Sequence, residues 1–254
     1  MNSCRFYLSG ASPALEYAKA DLLHRGCDLA AEPDADVTHL LLPVPAFSSP
    51  GILKGGQPLA ELLSQLPKTI TVFGGDLCDK ELSNYRKADF LQDAIYLSQN
   101  AAITAHCAVK QLLPHLTCTL HGCQVLIIGW GRIGKCLAQL LRAMGAHVTV
   151  ATRNTTHRAL LPALGYGAVE TAKLGGNLLR YRVIFNTAPF PVLSEEQVRQ
   201  CRPDCRKIDL ASQQGIAGED VLWARGLPGK DAPESSGRLI AATAVRLAAT
   251  EGTQ

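Results

Sequence analysis

Three glycines in a G-x-G-x-x-G pattern, Gly129, Gly131 and Gly134, directly follow the apolar run VLII at residues 125–128. Glycines at this spacing let backbone approach a bulky anion where any side chain would stand in the way. Gly129 permits a tight turn after a strand, Gly131 brings the backbone up to a pyrophosphate, and Gly134 lets the next helix pack closely on the strand. The N-terminus of that helix offers free N–H groups and a partial positive charge to phosphate. Trp130 and Arg132 fill variable positions; Arg132 adds charge beside the phosphates, and Ile133 lies in the same turn. The chemistry expected here is the binding of a dinucleotide.

The following strand ends in TVATRNTTH, residues 149–157. A site for NAD usually places Asp or Glu there, to bond the ribose 2′-hydroxyl. This stretch holds no acid. Arg153 stands instead among Thr152, Asn154 and Thr155. A guanidinium pairs with a phosphate as a fork, and hydroxyls can bond the remaining oxygens. NADP is therefore the expected cofactor, with NAD less favoured.

In a doubly wound sheet, ligands lie beyond the carboxyl ends of the strands, so polar residues at those ends are the next candidates. The segment NTAP supplies Asn186, Thr187, Ala188 and Pro189, the first two suited to the nicotinamide ribose or amide. DLAS supplies Asp209 and Ala211; Asp209 either meets the ligand or caps a neighbouring turn. GLPGKDAPESSG supplies Lys230, and QNAAITAHC supplies Asn100, Thr104 and His106. A histidine exchanges protons near neutral pH. His106 and Lys230 are the catalytic candidates, with Asn100, Thr104 and Lys230 on the substrate side. No H-E-x-x-H or Cys–His cluster argues for a metal, and no G-x-S-x-G elbow for an acyl-serine hydrolase.

These residues need a frame of alternating strands and helices. In the first half, strands are expected over residues 4–10, 37–44 and 69–75. Helices are expected over SPALEYAKADLLHRG, which has a capping Ser, Pro at the first helical position and a terminal Gly, and over GQPLAELLSQL and DKELSNYRKADF. A further helix is expected over residues 104–116. The second half reads as strand, glycine loop, helix KCLAQLLRAMG, strand HVTVATR, helix THRALLPALG and strand YRVIFNTAP. After these come a short helix in SEEQVRQC opened by a capping Ser, strands in CRKIDLAS and EDVLWARG, and a closing helix SSGRLIAATAVRLAAT. The expected class is α/β, with two parallel-sheet αβα domains, the second a Rossmann dinucleotide-binding fold. The expected divisions are a flavodoxin-like, substrate-side domain over residues 1–98, a linking helix over 99–120, the NADP-binding domain over 121–236, and a C-terminal helix over 237–254 packing back on the first domain.

Composition excludes several classes. With 25 basic and 22 acidic residues the net charge is only +3, too slight for a nucleic-acid or membrane-surface protein. The first residues do not read as a signal peptide, and no apolar run reaches the roughly 18 residues needed to span a bilayer, so a cytoplasmic, soluble protein is expected. The nine cysteines are odd in number and lack C-x-x-C spacing, which argues for buried free thiols rather than disulfides or zinc.

Taken in order, six stretches resemble the nicotinamide-carrying member of the dipicolinate synthase family over roughly residues 100–250. They are N-x-x-x-T-A at residues 100–105, HG at 121–122, GWGRIGKCLAQLLRAMGAHVTVATR, FNTAP, IDLAS at 208–212 and GLPGK-x-AP up to Pro233. The resemblance implies a nicotinamide-dependent oxidoreductase of sporulation. It would oxidise dihydrodipicolinate, or its hydrated form, to dipicolinic acid, so its substrate would be a small cyclic dicarboxylate. It also implies a flavoprotein-like second subunit in partnership; a homodimer is a further possibility. The chain departs from the family pattern at three places. LSGASPA stands where the family opens with GGD-x-R, His106 and Cys107 stand where it has Glu-Gly, and APESSG stands where it has APK followed by Thr-Ala-Gly. Two alternatives stay open. One is a D-2-hydroxyacid-dehydrogenase-like reductase, although no histidine follows His157 to serve as the usual late acid. The other is a non-catalytic NADP-binding protein that serves a partner.

Overall fold

A computed structural model describes residues 4–251. The chain forms two compact units, one made of residues up to Asn100 together with those from Pro228 onward, the other of Ala101–Leu227.

In the first unit the elements run β1 (Arg5–Leu8), α1 (Pro13–His24), β2 (Asp28–Leu29), β3 (His39–Leu41), β4 (Phe47–Ser49), β5 (Ile52–Leu53), α2 (Leu59–Ser64), β6 (Thr71–Gly74) and β7 (Arg86–Asp89). Five of these strands form one parallel sheet in the order β2-β1-β3-β6-β7, the flavodoxin-like order; β4 and β5 pair as a separate antiparallel hairpin. Its central strands β3 and β6 are buried along their whole length, as parallel strands covered on both faces are. On one face Phe6, His39, Phe73, Phe90 and Tyr96 make a chain of ring contacts with centroids 5.0 to 6.2 Å apart. Leu40, Leu42, Val72, Leu59 and Leu62 fill the other.

α3 (Ala94–Leu112) begins in the first unit and enters the second. There follow β8 (Gln124–Ile128), α4 (Arg132–Ala143), β9 (His147–Ala151), α5 (Thr155–Leu160), β10 (Gly167–Val169), β11 (Val183–Asn186), α6 (Glu195–Arg199), β12 (Arg206–Asp209) and β13 (Val221–Trp223). The six strands are parallel in the order β10-β9-β8-β11-β12-β13, the doubly wound dinucleotide order. The order of winding reverses at β8, which lies between β9 and β11, and this opens the crevice of the fold. The register sets Ala151, Ile128, Asn186, Asp209 and Trp223 side by side, so the turns after all five strands form one row. α7 (Leu227–Asp231) and α8 (Pro233–Glu251) return the chain to the first unit.

Several sequence expectations change. DKELSNYRKADF is not a helix. Asp79 caps a single 3-10 turn by accepting the Glu81 N–H at 3.0 Å, and Arg86–Asp89 is the edge strand β7, which carries polar residues because one side lacks a partner. α3 starts ten residues earlier than residue 104, where the Asp93 carboxylate accepts the Tyr96 N–H at 2.6 Å, and ends before Pro114. The capping Ser of α6 is Ser194, which forms a capping box with Gln197. β2, the β4–β5 hairpin and β10, all of three residues or fewer, went unread. The cysteines are all free, but Cys78 and Cys118 are exposed rather than buried. No helix among the described residues is long and apolar enough to cross a membrane.

α8 lies against α1 through a glycine. A Cβ at Gly237 would collide with the Ala14 carbonyl oxygen and come within 2.5 Å of the Tyr17 Cβ and 2.8 Å of the Ala18 nitrogen. Gly237→Leu should therefore lower stability by roughly 1–3 kcal/mol, the usual cost of overpacking, measured as a lower urea midpoint.

Candidate dinucleotide-binding site

The glycine loop is built as its spacing requires. Gly129 has φ +108°, a backbone conformation that disfavours side chains, and a Cβ there would strike the Thr187 hydroxyl. A Cβ on Gly134 would strike the Gly129 carbonyl, so α4 rests directly on the turn. Gly131 differs: a Cβ there would meet nothing within 4 Å. Its hydrogen faces open space, at the N-cap of a twelve-residue helix that no side chain caps. Backbone N–H groups, the positive end of the helix and room for a bulky group thus coincide, as a pyrophosphate requires.

A cleft of about 520 Å³ opens at this point. Its walls are Ile128, Gly129, Trp130 and Gly131 after β8, Ala151, Thr152, Arg153, Asn154 and His157 after β9, Thr171, and Thr187, Ala188, Pro189 and Phe190 after β11. It therefore occupies the switch point of the sheet. Gly129, Gly131, Thr152, Arg153, Asn154, Thr187, Ala188 and Pro189, all singled out from sequence, line it; Arg132, Ile133, Gly134 and Thr155 flank it without lining it.

Asn186, Asp209 and Ala211 do not reach the cleft. Asn186 and Asp209 are both fully buried (0% exposed) and stand behind the cleft lining, Asp209 in the turn-capping role that its position also allowed. The Asn186 amide donates to both Asp209 carboxylate oxygens at 3.0 and 3.1 Å and to the Ala188 carbonyl at 3.0 Å, and its own oxygen accepts the Ala188 N–H at 2.9 Å. Asp209 further accepts the N–H groups of Ala211, Gly215 and Ile216 at 3.0, 2.7 and 2.9 Å. These residues hold the loops after β11 and β12 and shape the wall from behind.

On the other wall the TRNTT turn is braced. Asn154 caps α5 by accepting the His157 N–H at 2.9 Å. Arg158, unread in the sequence, donates to the carbonyls of Thr152 and Arg153 at 2.9 and 2.7 Å and lies 3.8 Å from Glu170. Arg153 itself is exposed, its guanidinium carbon 4.2 Å from the centre of the Phe190 ring. Trp130 packs edge-on against Tyr166 at 5.6 Å. Phe190 was also missed; the available signal was an aromatic clamped between two prolines in PFP.

The remaining candidates lie elsewhere. Asn100 and Thr104 sit one turn apart on α3, Thr104 buried. His106 is exposed on the same helix, about 200° around the axis from Thr104 at 3.6 residues per turn, so the two do not share a face. Lys230 is exposed in α7. Lys54, which sequence reading passed over, is half-buried in the same unit. Burial first, and the Lys230 charge second, lower its pKa.

A glycine-loop crevice at the switch point of a 3-2-1-4-5-6 sheet gives the second unit the form of an NAD(P)-binding Rossmann domain, and the first unit has the flavodoxin-like strand order. Residues 98–191 match the family described as D-isomer specific 2-hydroxyacid dehydrogenase, NAD binding domain. The chain is homologous to dipicolinate synthase: it is 27% identical to a subunit of that enzyme from Bacillus subtilis (strain 168), over 85% of this chain and 79% of the relative. The fold agrees with the crystal structures of dipicolinate synthase from B. subtilis (TM-score 0.85, 21% identity, 100% of this chain and 99% of that one) and of its counterpart from Bacillus halodurans (TM-score 0.85, 22% identity, 96% and 97%). A transhydrogenase from Sinorhizobium meliloti shares the architecture with a TM-score of 0.73 at 14% identity, over 97% of this chain and 94% of that one.

Asp209→Ala would leave several buried N–H groups without an acceptor, each costing about 1–3 kcal/mol. The expected result is a loss of roughly 3 kcal/mol or more by equilibrium denaturation. Asp209→Asn should also destabilise, because an NH₂ group then faces donors.

Proposed function

We propose that the protein is an NADP-dependent oxidoreductase that converts dihydrodipicolinate, or its hydrated form, to dipicolinate. The observation that carries the cofactor choice is Arg153: the loop closing one wall of the glycine-loop cleft bears a guanidinium and no acid between residues 149 and 157. The substrate class rests on homology to dipicolinate synthase. When bound, the nicotinamide would supply hydride acceptance from the ring carbon.

The chain's own residues do the rest. Gly131 and the first turn of α4 hold the pyrophosphate, and Thr187 and Ala188 border the path towards the nicotinamide. Arg153 holds the 2′-phosphate, with Thr152 and Asn154 forming the turn that presents it. In the first unit Lys230, with Lys54 beside it, is the cationic pair for a dicarboxylate. His106 is the candidate acceptor of the ring proton that leaves as the hydride departs. The resemblance also brings a flavoprotein-like second subunit, the partner expected in the assembled enzyme.

Purified protein given dihydrodipicolinate and NADP⁺ should develop the near-ultraviolet absorbance of reduced nicotinamide together with the pyridine chromophore. Absence of both, with the cofactor bound and the flavoprotein-like partner present, would remove the proposal. The match to the 2-hydroxyacid dehydrogenase NAD domain favours a second reading, a 2-ketoacid reductase. NADPH consumption with 2-ketoacids and none of the pyridine signal would establish it.

Arg153→Ala should weaken NADPH by roughly 10- to 150-fold, as loss of a charged hydrogen-bonded contact of about 1.5–3 kcal/mol implies, and leave NADH nearly unchanged. His106→Gln should cut turnover while cofactor affinity stays constant. Equal NADPH and NADH losses in the first variant, or unchanged turnover in the second, would overturn the respective assignment.

A further inference from the structure

The Arg153 guanidinium makes no hydrogen bond or ion pair among the described residues, yet it is not adrift. Its carbon lies over the Phe190 ring, 4.2 Å from the ring centre, and both residues line the same cleft. A ring face attracts a cation through its quadrupole. No N–H donor of this guanidinium is taken up among the described residues, so its fork is available to an anion.

The seat is rigid. Phe190 stands between Pro189 and Pro191, and a residue before proline has few backbone options. Its carbonyl oxygen lies so close to Gly215 that a Cβ there would collide with it. The Gly215 carbonyl accepts the Val192 N–H at 2.7 Å, and the Gly215 N–H donates to buried Asp209 at 2.7 Å. The buried Asn186–Asp209 pair thus anchors the backbone on either side of Phe190. A long arginine side chain otherwise spends rotamer freedom each time it grips a phosphate, and a ring that holds it beforehand removes part of that loss.

We infer that Phe190 is a specificity-determining positioning residue: its ring holds Arg153 across the cleft so that the guanidinium edge meets the 2′-phosphate of NADP. The inference rests on the proposed role of Arg153. It makes discrimination between NADP and NAD a property of a pair of residues 37 positions apart in the chain, one from each wall of the cleft.

The test measures NADPH and NADH dissociation constants on the full chain by reduced-nicotinamide fluorescence. Phe190→Ala should weaken NADPH about three- to tenfold, the range of one partly exposed cation–ring contact, and leave NADH unchanged. Phe190→Tyr keeps a ring and should retain NADPH affinity. Phe190→Leu keeps apolar bulk without a ring face and should behave as the alanine variant, which separates the effect from misfolding of the loop. The double variant Arg153→Ala/Phe190→Ala should bind NADPH no worse than Arg153→Ala alone. Equal weakening of both nucleotides, unchanged NADPH binding in Phe190→Ala, full affinity in Phe190→Leu, or additive losses in the double variant would each overturn the inference. If Arg153→Ala itself fails to separate NADPH from NADH, the cofactor reading falls; if it separates them and Phe190→Ala does not, only the role of Phe190 falls.

Discussion

A carboxylate with no exposed surface lies at the centre of the second unit. Taking Asp209 out of water is unfavourable by several kcal/mol unless its oxygens are fully engaged. Here they accept the Asn186 amide and the N–H groups of Ala211, Gly215 and Ile216. The arrangement answers a difficulty common to parallel sheets: at the carboxyl ends the chain must turn away, and the backbone groups of those turns need partners. Asp209 gathers the turn after β12, and Asn186 gathers the turn after β11 through Ala188. One pair of side chains across one strand pairing therefore sets the height and shape of a cleft wall, which is where sub-ångström placement matters for a nucleotide.

The sheet of the second unit is legible in the sequence because its central strands are uninterrupted apolar runs, each ending in glycine or a short polar segment, and buried parallel strands look like that. What eludes sequence reading is of two kinds. β7 reads as a helix because edge strands are not forced to be apolar and RKAD carries no period of two. β10 is three residues long, and two of the three are exposed. The site divides the same way. The glycine loop and Arg153 follow from local spacing, whereas Asn186 and Asp209 are 23 residues apart and become partners only through the β11–β12 register. A polar residue at a strand end reads equally well as a ligand contact or a loop clamp until its neighbour on the adjacent strand is known. Phe190 is hidden for the same reason: its partner comes from another strand end, with β8 between them.

The two walls of the cleft are stiffened by different means. The β11 side is held from below by buried polar contacts, while the β9 side is held by Arg158, half-buried, which grips two carbonyls of its own turn. The glycine loop between them is fixed by close contact, of Gly129 with the Thr187 side chain and of Gly134 with the Gly129 backbone.

The chain order of the first unit has a temporal meaning. That unit is written in two pieces, with all of Ala101–Leu227 between them, and α8 packs on α1 where Gly237 meets Ala14, Tyr17 and Ala18. A ribosome therefore releases the whole second unit before the first has its last helix. During synthesis the side of α1 that meets α8 waits uncovered while the later sheet assembles, and this unit is completed only after the one inserted within it.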